Sequence, residues 1–341
     1  MSNEMVIQPG GSKVPSVAVV REMIDAYLAS LSPSTLRAYK GDLRYFAEFL
    51  KLGDAVDQPA AAAEALIAMG HGNANLKVLQ YRNHMAEKGL KNSTICRRLS
   101  ALRSMVTFSR MCGRIAWSID IKGPEVEPYR DTKGPSHEAY MTAWRALRER
   151  ADWAGDPAVR KQAIRDLAMM MVMHDLALRR GSLTTLQLSD VKLDDDPPTI
   201  TYKAKRRPEP ETRDLEGPII GVLREWLAAR GSADGPFFIR LDRDDLESVD
   251  GAIINRMVKR SFRRVGVTRR TNAHGLRHLS ITRLLEKNNG NITEAMAHSG
   301  HRDSRVLMKY FDNMKGAAAN ALKTLAADYS TDADQNDERT T

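Results

Sequence analysis

Thr271–Phe311 reads TNAHGLRHLSITRLLEKNNGNITEAMAHSGHRDSRVLMKYF. His274 and Arg277 stand three apart at the start of an amphipathic run, and on a helix that spacing puts both side chains on one face. Ser299-Gly300-His301 follows, and nine positions beyond that histidine is Tyr310. A base, a cation, a second imidazole and a phenol are thus gathered in one segment. Such a set suits a tyrosine that attacks a phosphodiester.

The pattern His274-Gly275-Leu276-Arg277, then Gly300-His301, then Tyr310 resembles the C-terminal signature of the tyrosine recombinases, the phage integrase family. A second match lies upstream. Leu178-Arg179-Arg180-Gly181-Ser182-Leu183, ending in Leu186-Gln187-Leu188-Ser189-Asp190-Val191, resembles the family's first conserved box. Position matching makes Arg179 its catalytic arginine. The family commonly has Glu or Asp three residues beyond, where this chain has Ser182, so the usual orienting carboxylate is in doubt.

Asp194-Asp195-Asp196-Pro197-Pro198 marks a turn before the β-branched run Thr199-Ile200-Thr201-Tyr202, and a second strand is expected near Thr212–Leu215. Lys203, Lys205, Arg206 and Arg207 lie between. The resemblance implies a general-acid lysine on this hairpin. Lys205 matches best and Lys203 is the alternate; Lys203, Arg206 and Arg207 are otherwise expected on DNA phosphates. His278 and His298 fall outside the pattern and read as structural.

The resemblance assigns chemistry to the rest. Arg179 and Arg277 hold the non-bridging oxygens, which matters most as charge builds in the transition state. A phenol of pKa about 10 needs help losing its proton near pH 7, and His274 is the candidate base. His301 donates to a phosphate oxygen and Lys205 protonates the departing 5′-hydroxyl. The implied product is a 3′-phosphotyrosine bond that conserves the bond energy. No cofactor, ATP or metal is expected, and no Walker motif or acidic metal triad is evident.

The 341 residues favour two domains with ample core. A net charge of +9 favours an anionic partner. Cys96 and Cys112 form no ligand pair and read as small core residues of a reduced protein. No apolar run approaches the ~20 residues of a membrane span, and MSNEMVIQPGGSK lacks the plan of a signal peptide. A cytoplasmic or nucleoid location in a bacterium is expected.

From the start, residues 1–14 look like a flexible arm. A helix is expected over Val17–Ala29. Ser32-Pro33 caps a second, whose Leu36, Tyr39, Leu43, Phe46 and Leu50 form an apolar stripe. A third follows Ala60–Ala63, a fourth runs from Asn75 to Lys88, and a fifth starts after Asn92-Ser93. Arg37, Lys40 and Arg44, and then Arg97, Arg98 and Arg103, are expected to track DNA phosphates. SPSTLRAYKGDLRYFAEF and STICRRLSALRSMVTF resemble the family's core-binding domain.

The expected fold is mainly α with a small β-sheet. A helical, SAM-like core-binding domain (15–121) and a linker (122–136) precede a mixed α+β catalytic domain (137–327) and an acidic, disordered tail (328–341). Helices are expected at Ser136–Arg150, Pro157–Leu176, Pro218–Arg230 and Ala252–Val265, the last with a basic face, and a final helix around Ala317–Leu325 to dock on a neighbouring subunit. By resemblance to the Cre and Xer type, the chain clamps double-stranded DNA bearing paired inverted-repeat half-sites and works as a homotetramer. A type IB topoisomerase and a DNA-binding architectural protein are the rival readings.

Overall fold

The computed structural model describes residues 17–53, 58–126, 134–153, 155–204, 207, 209–243, 245–269 and 271–311. The chain divides into Met1–Tyr129 and Arg130–Thr341, each with its own core. The expected N-terminal arm, final helix and acidic tail lie outside the described residues, as do residues 127–133 of the expected linker.

The first unit holds α1 (Val17–Ala29), α2 (Pro33–Leu50), α3 (Gln58–Ala68), α4 (Gly70–Glu87) and α5 (Asn92–Met111). Ser32 Oγ accepts from the Thr35 amide at 3.4 Å and Pro33 opens α2, so the entry signal works as read. Along the α2 stripe, Leu43 and Phe46 are fully buried, and the Phe46 ring meets Tyr81 of α4 edge-on at 5.0 Å. Ile95, Leu99, Leu102 and Val106 of α5 close the core.

Two features differ from expectation. Helix α4 begins at Gly70 rather than at Asn75, because Asn75 does not cap it. Its side chain donates to Ser118 O (2.9 Å) and accepts from the Asp120 amide (2.9 Å), holding down the strap that follows α5. Asn92 and Cys96 fasten the same strap at Glu125 O (2.8 Å) and Pro124 O (3.2 Å), so the chain through Glu125 belongs to this unit. Cys112 is exposed at the end of α5 and Cys96 is half-buried; neither sits in the core.

The second unit contains α6 (His137–Asp152), α7 (Pro157–Asp175), α8 (Arg180–Thr185), β1 (Val191–Lys192), β2 (Thr199–Tyr202), β3 (Glu211–Asp214), α9 (Pro218–Arg230), α10 (Gly251–Arg264), α11 (Ala273–Lys287), α12 (Ile292–Ser299) and α13 (Ser304–Phe311). The three strands form one antiparallel sheet in chain order, with Val191 opposite Ile200 and Tyr202 opposite Glu211. Helix α7 is buried without a break from Ala163 to Met173, as befits the central helix of a unit this size. Its only buried charges, Arg165 and Asp166, pair with each other, and Asp166 also binds Arg260 of α10. A second, smaller cluster of Ala177, Ile281, Leu285, Ala295 and Leu307 joins α11, α12 and α13.

Gly134 packs directly on α11. A Cβ there would stand 2.0 Å from Gly275 O and 3.2 Å from Leu279 N, a gap only glycine fits.

Candidate active site

Helix α11 is started by Asn272, whose side chain accepts from the Gly275 amide at 2.9 Å, while Asn255 of α10 accepts from the Ala273 amide at 3.3 Å. These two asparagines fix the helix end that carries His274 and, one turn on, Arg277. His274 shows a face to solvent, whereas Arg277 is 3% exposed. The Arg277 guanidinium donates to Ala177 O, to Ser299 O at 2.5 Å and to His301 Nε2 at 3.2 Å. It thereby joins the segment before α8, the end of α12 and the histidine of the Gly-His step.

Two backbone positions make that meeting possible. Gly300 adopts φ 64, a left-handed conformation that glycine takes without a Cβ penalty, and its amide bonds Met296 O at 2.8 Å. The chain turns there and brings His301 back towards α11. Ala177 also has positive φ (48), which a non-glycine residue holds only when its surroundings enforce it. The surroundings are visible: Ala177 is fully buried in the small cluster and its carbonyl receives Arg277. Arg179 follows two residues later as the N-cap of α8.

Arg179, His274 and Arg277 line one cleft of about 370 Å³, together with Arg180, Asn255 and Asn272. Burial, then Arg277 and Arg179, lower the His274 pKa. Although its edge meets solvent, the ring is crowded enough by protein to lose hydration. Burial and the cations Arg277 and Arg179 push His301 down to about 4. Both imidazoles are neutral near pH 7, so His274 has a free lone pair for proton abstraction.

His278 and His298 are not among the residues that line the cleft. Burial takes His278 to about 3 and His298 to about 4. The His278 ring meets His274 edge-on at 4.3 Å, and Ser280 Oγ lies 2.8 Å from His298 Nε2.

The hairpin reaches the same place. Arg213 donates to His298 O (2.6 Å) and Ala297 O (3.0 Å), and Arg207 donates to Gly300 O (3.3 Å) and pairs with Glu211. Two cations thus sit on the carbonyl end of α12, where the helix dipole favours them. Ser182 Oγ donates to Lys203 O at 3.0 Å, so the residue at the missing carboxylate's position ties down the root of the lysine loop. Lys203 is exposed. Lys205 and Arg206 lie outside the described residues. Tyr310 stands on α13, and its side chain lies outside them too.

In the first unit, Arg37, Lys40 and Arg44 are exposed along α2. Three of the α5 arginines have intramolecular partners. Arg97 binds the buried Asp42, Arg98 stacks its guanidinium 3.7 Å from the Tyr45 ring centroid with 12% of its side chain exposed, and Arg103 donates to Ile121 O. The sequence alone assigns no role to Asp42, Ala177, Asn255 or Ser299. Only Ser299 carried a signal, being a hydroxyl beside the Gly-His step.

Among the described residues no cluster of His, Cys, Asp and Glu is suited to a metal, and no helix is long and apolar enough to cross a membrane.

Residues 152–316 match the phage integrase family. The chain is 33% identical over 287 residues to a tyrosine recombinase of Synechococcus elongatus, covering 82% of this chain and 85% of that one. It is 30% identical over 299 residues to a tyrosine recombinase of Synechocystis, covering 86% and 91%. Its fold matches XerH site-specific recombinase bound to palindromic difH substrate (TM-score 0.62, 15% identity, 90% and 94% covered). It also matches the Tn1549 transposon integrase in complex with transposon right end DNA (TM-score 0.64, 14% identity, 91% and 99% covered).

Proposed function

This chain belongs to the phage integrase family of tyrosine recombinases, and from that premise we propose how its own residues cut and rejoin DNA. It is a site-specific DNA recombinase, and its substrate is duplex DNA. The observation that carries the mechanism is the contact of Arg277 with His301, 24 residues apart in sequence, at the edge of the cleft that also holds Arg179 and His274.

Arg179 and Arg277 bind the non-bridging oxygens of the scissile phosphate. Arg277 comes to the task already aimed, because backbone carbonyls hold its guanidinium, and little reorganisation remains when charge builds on phosphorus. The Tyr310 oxygen attacks phosphorus while neutral His274 takes the phenolic proton. The bond to the 5′ oxygen breaks, and Lys205 supplies the proton that oxygen needs. The products are a 3′-phosphotyrosine link and a free 5′-hydroxyl, and the reverse sequence rejoins a new strand. Every bond broken is replaced by one of the same type, so the cycle needs no energy source.

Arg37, Lys40, Arg44 and Lys203, with their exposed side chains, contact phosphates along the duplex. Paired inverted-repeat half-sites, a homotetramer on synapsed DNA, and work in the bacterial cytoplasm or nucleoid complete the reading. The test is twofold. The purified protein should recombine two copies of an inverted repeat taken from the DNA flanking its gene. It should leave a supercoiled plasmid without that repeat unrelaxed; relaxation of such a plasmid would make it a topoisomerase.

A further inference from the structure

We propose that Ser299 is a positioning residue that fixes the tautomer and the orientation of the His301 ring. The inference rests on the reading that Arg277 and His301 act on the scissile phosphate.

Ser299 ends α12 and is 3% exposed. A hydroxyl has one proton to give and lone pairs to receive with. Its Oγ lies 2.6 Å from Ala295 O, which can only accept, so the hydroxyl proton is committed there. The same Oγ lies 2.7 Å from His301 Nδ1. It must accept in that bond, and the ring proton therefore sits on Nδ1. The opposite side of the ring gives the same answer. Nε2 lies 3.2 Å from Arg277 Nη2, and a guanidinium only donates, so Nε2 carries the lone pair. Two separate contacts require one neutral tautomer. Ser299 also lends its backbone carbonyl to Arg277 Nη2, so a single residue aligns both phosphate-binding groups.

The tautomer has a consequence for the reaction. In this arrangement Nε2 of His301 accepts from Arg277 and has no proton to offer a phosphate. To donate, Nε2 must take up a proton from solvent, giving an imidazolium whose Nδ1–H stays on Ser299. The charged groups around the ring are Arg277 from α11 and Arg179 from the start of α8, with His274 of α11 beside them. Arg207 and Glu211 of the hairpin flank the adjoining Gly300. The two active-site arginines oppose the imidazolium until a phosphate anion lies between them. The bond from Nδ1–H to Ser299 strengthens when the ring is charged. It also keeps Nε2 turned to the place where the proton is needed. Without the hydroxyl, only the longer Arg277 contact at 3.2 Å restrains the ring, too little to stop it flipping and moving its proton to the wrong nitrogen.

The experiment uses the full chain labelled with ¹⁵N-histidine. Long-range proton–nitrogen correlation without DNA at pH 7 reads which nitrogen of His301 is protonated. The wild type shows the Nδ1–H form, Ser299→Ala shows a mixture or the Nε2–H form, and Ser299→Thr, which keeps the hydroxyl, restores the wild-type pattern. In single-turnover cleavage of a DNA half-site, Ser299→Ala forms covalent complex more slowly by roughly ten- to a hundredfold, the effect of losing a hydrogen bond to a charged group. Its DNA affinity stays near wild type. An Nε2–H wild type, or an alanine variant with an unchanged tautomer, overturns the proposal. A wild type with the Nδ1–H form that makes no covalent complex supports the ring assignment and sinks the recombinase chemistry instead.

Discussion

Leu307→Ala should slow cleavage without touching any group that handles the phosphate. Helix α13 has eight residues, too few to persist alone in water. Leu307 is fully buried among Ala177, Ile281, Leu285 and Ala295, and it anchors the helix that carries Tyr310. Truncation removes about three carbons, or about 2.4 kcal/mol of transfer energy. The unfilled cavity brings the usual cost of such a change to about 2.7–5 kcal/mol. At about 1.4 kcal/mol per factor of ten, the undocked population of α13 rises by roughly two to three and a half orders of magnitude. Hydrogen exchange of residues 304–311 reads the undocking directly, and single-turnover covalent-complex formation reads its effect. Exchange through undocking should rise by about a hundredfold or more, the cleavage rate should fall by the fraction of docked α13 that is lost, and half-site affinity should change little. Leu307→Met, which refills most of the volume, should recover most of the rate. Wild-type exchange and wild-type cleavage in the alanine variant would refute the reasoning.

Three further outcomes are expected. Lys205→Ala should cut cleavage by about 10²–10⁴-fold, the contribution of a positioned acid, and a substrate with sulfur as the bridging 5′ atom should restore most of it, since a thiol of pKa about 8.5 leaves without a proton; rescue of Lys203→Ala in its place would move the role to that residue. Ser182→Ala, which frees Lys203 O, should lower the cleavage rate with DNA binding intact, and sulfur should rescue it in part; no change on either substrate would count against the tether. His278 and His298 are held at about 3 and about 4, below their unfolded value of about 6.5, so an unfolded chain takes up protons before the folded one. Their stabilising effect is complete above pH about 6.5 and drains as pH falls towards 4; the melting temperature should drop over that window, and His298→Gln should remove part of the slope.

Much of the fold was legible because its punctuation is local. Ser32-Pro33 fixes the start of α2, and the Asp-Pro turn at 194–198 precedes β2 at the expected residue. Other features answer to distant partners. Asn75 looks like a helix start, but Ser118 and Asp120, far along the chain, occupy its amide. Strand β1 is two residues long and exists by pairing with β2, so no periodicity announces it. The site shows the same division. Spacing located Arg277 and His301, whose contact depends on a single left-handed glycine. Charge spacing marks the α5 arginines as a basic stripe but does not show that Arg97 also meets Asp42 across 55 positions, because charge alone does not reveal a buried counter-ion. Ala177 was invisible because an alanine gives no hint of positive φ.

The claim that Tyr310 is the nucleophile can be tested without knowing the target sequence. The protein is expressed in bacterial cells, which are lysed in hot detergent to trap any covalent complex. Nuclease digestion then leaves a nucleotide stub, and mass spectrometry of the tryptic peptides locates it. A 3′-linked nucleotide on the phenolic oxygen of Tyr310, absent from Tyr310→Phe and recovered with a preferred flanking sequence, is the predicted result. A stub on another tyrosine, such as Tyr202 or Tyr329, or one that persists in Tyr310→Phe, would contradict it.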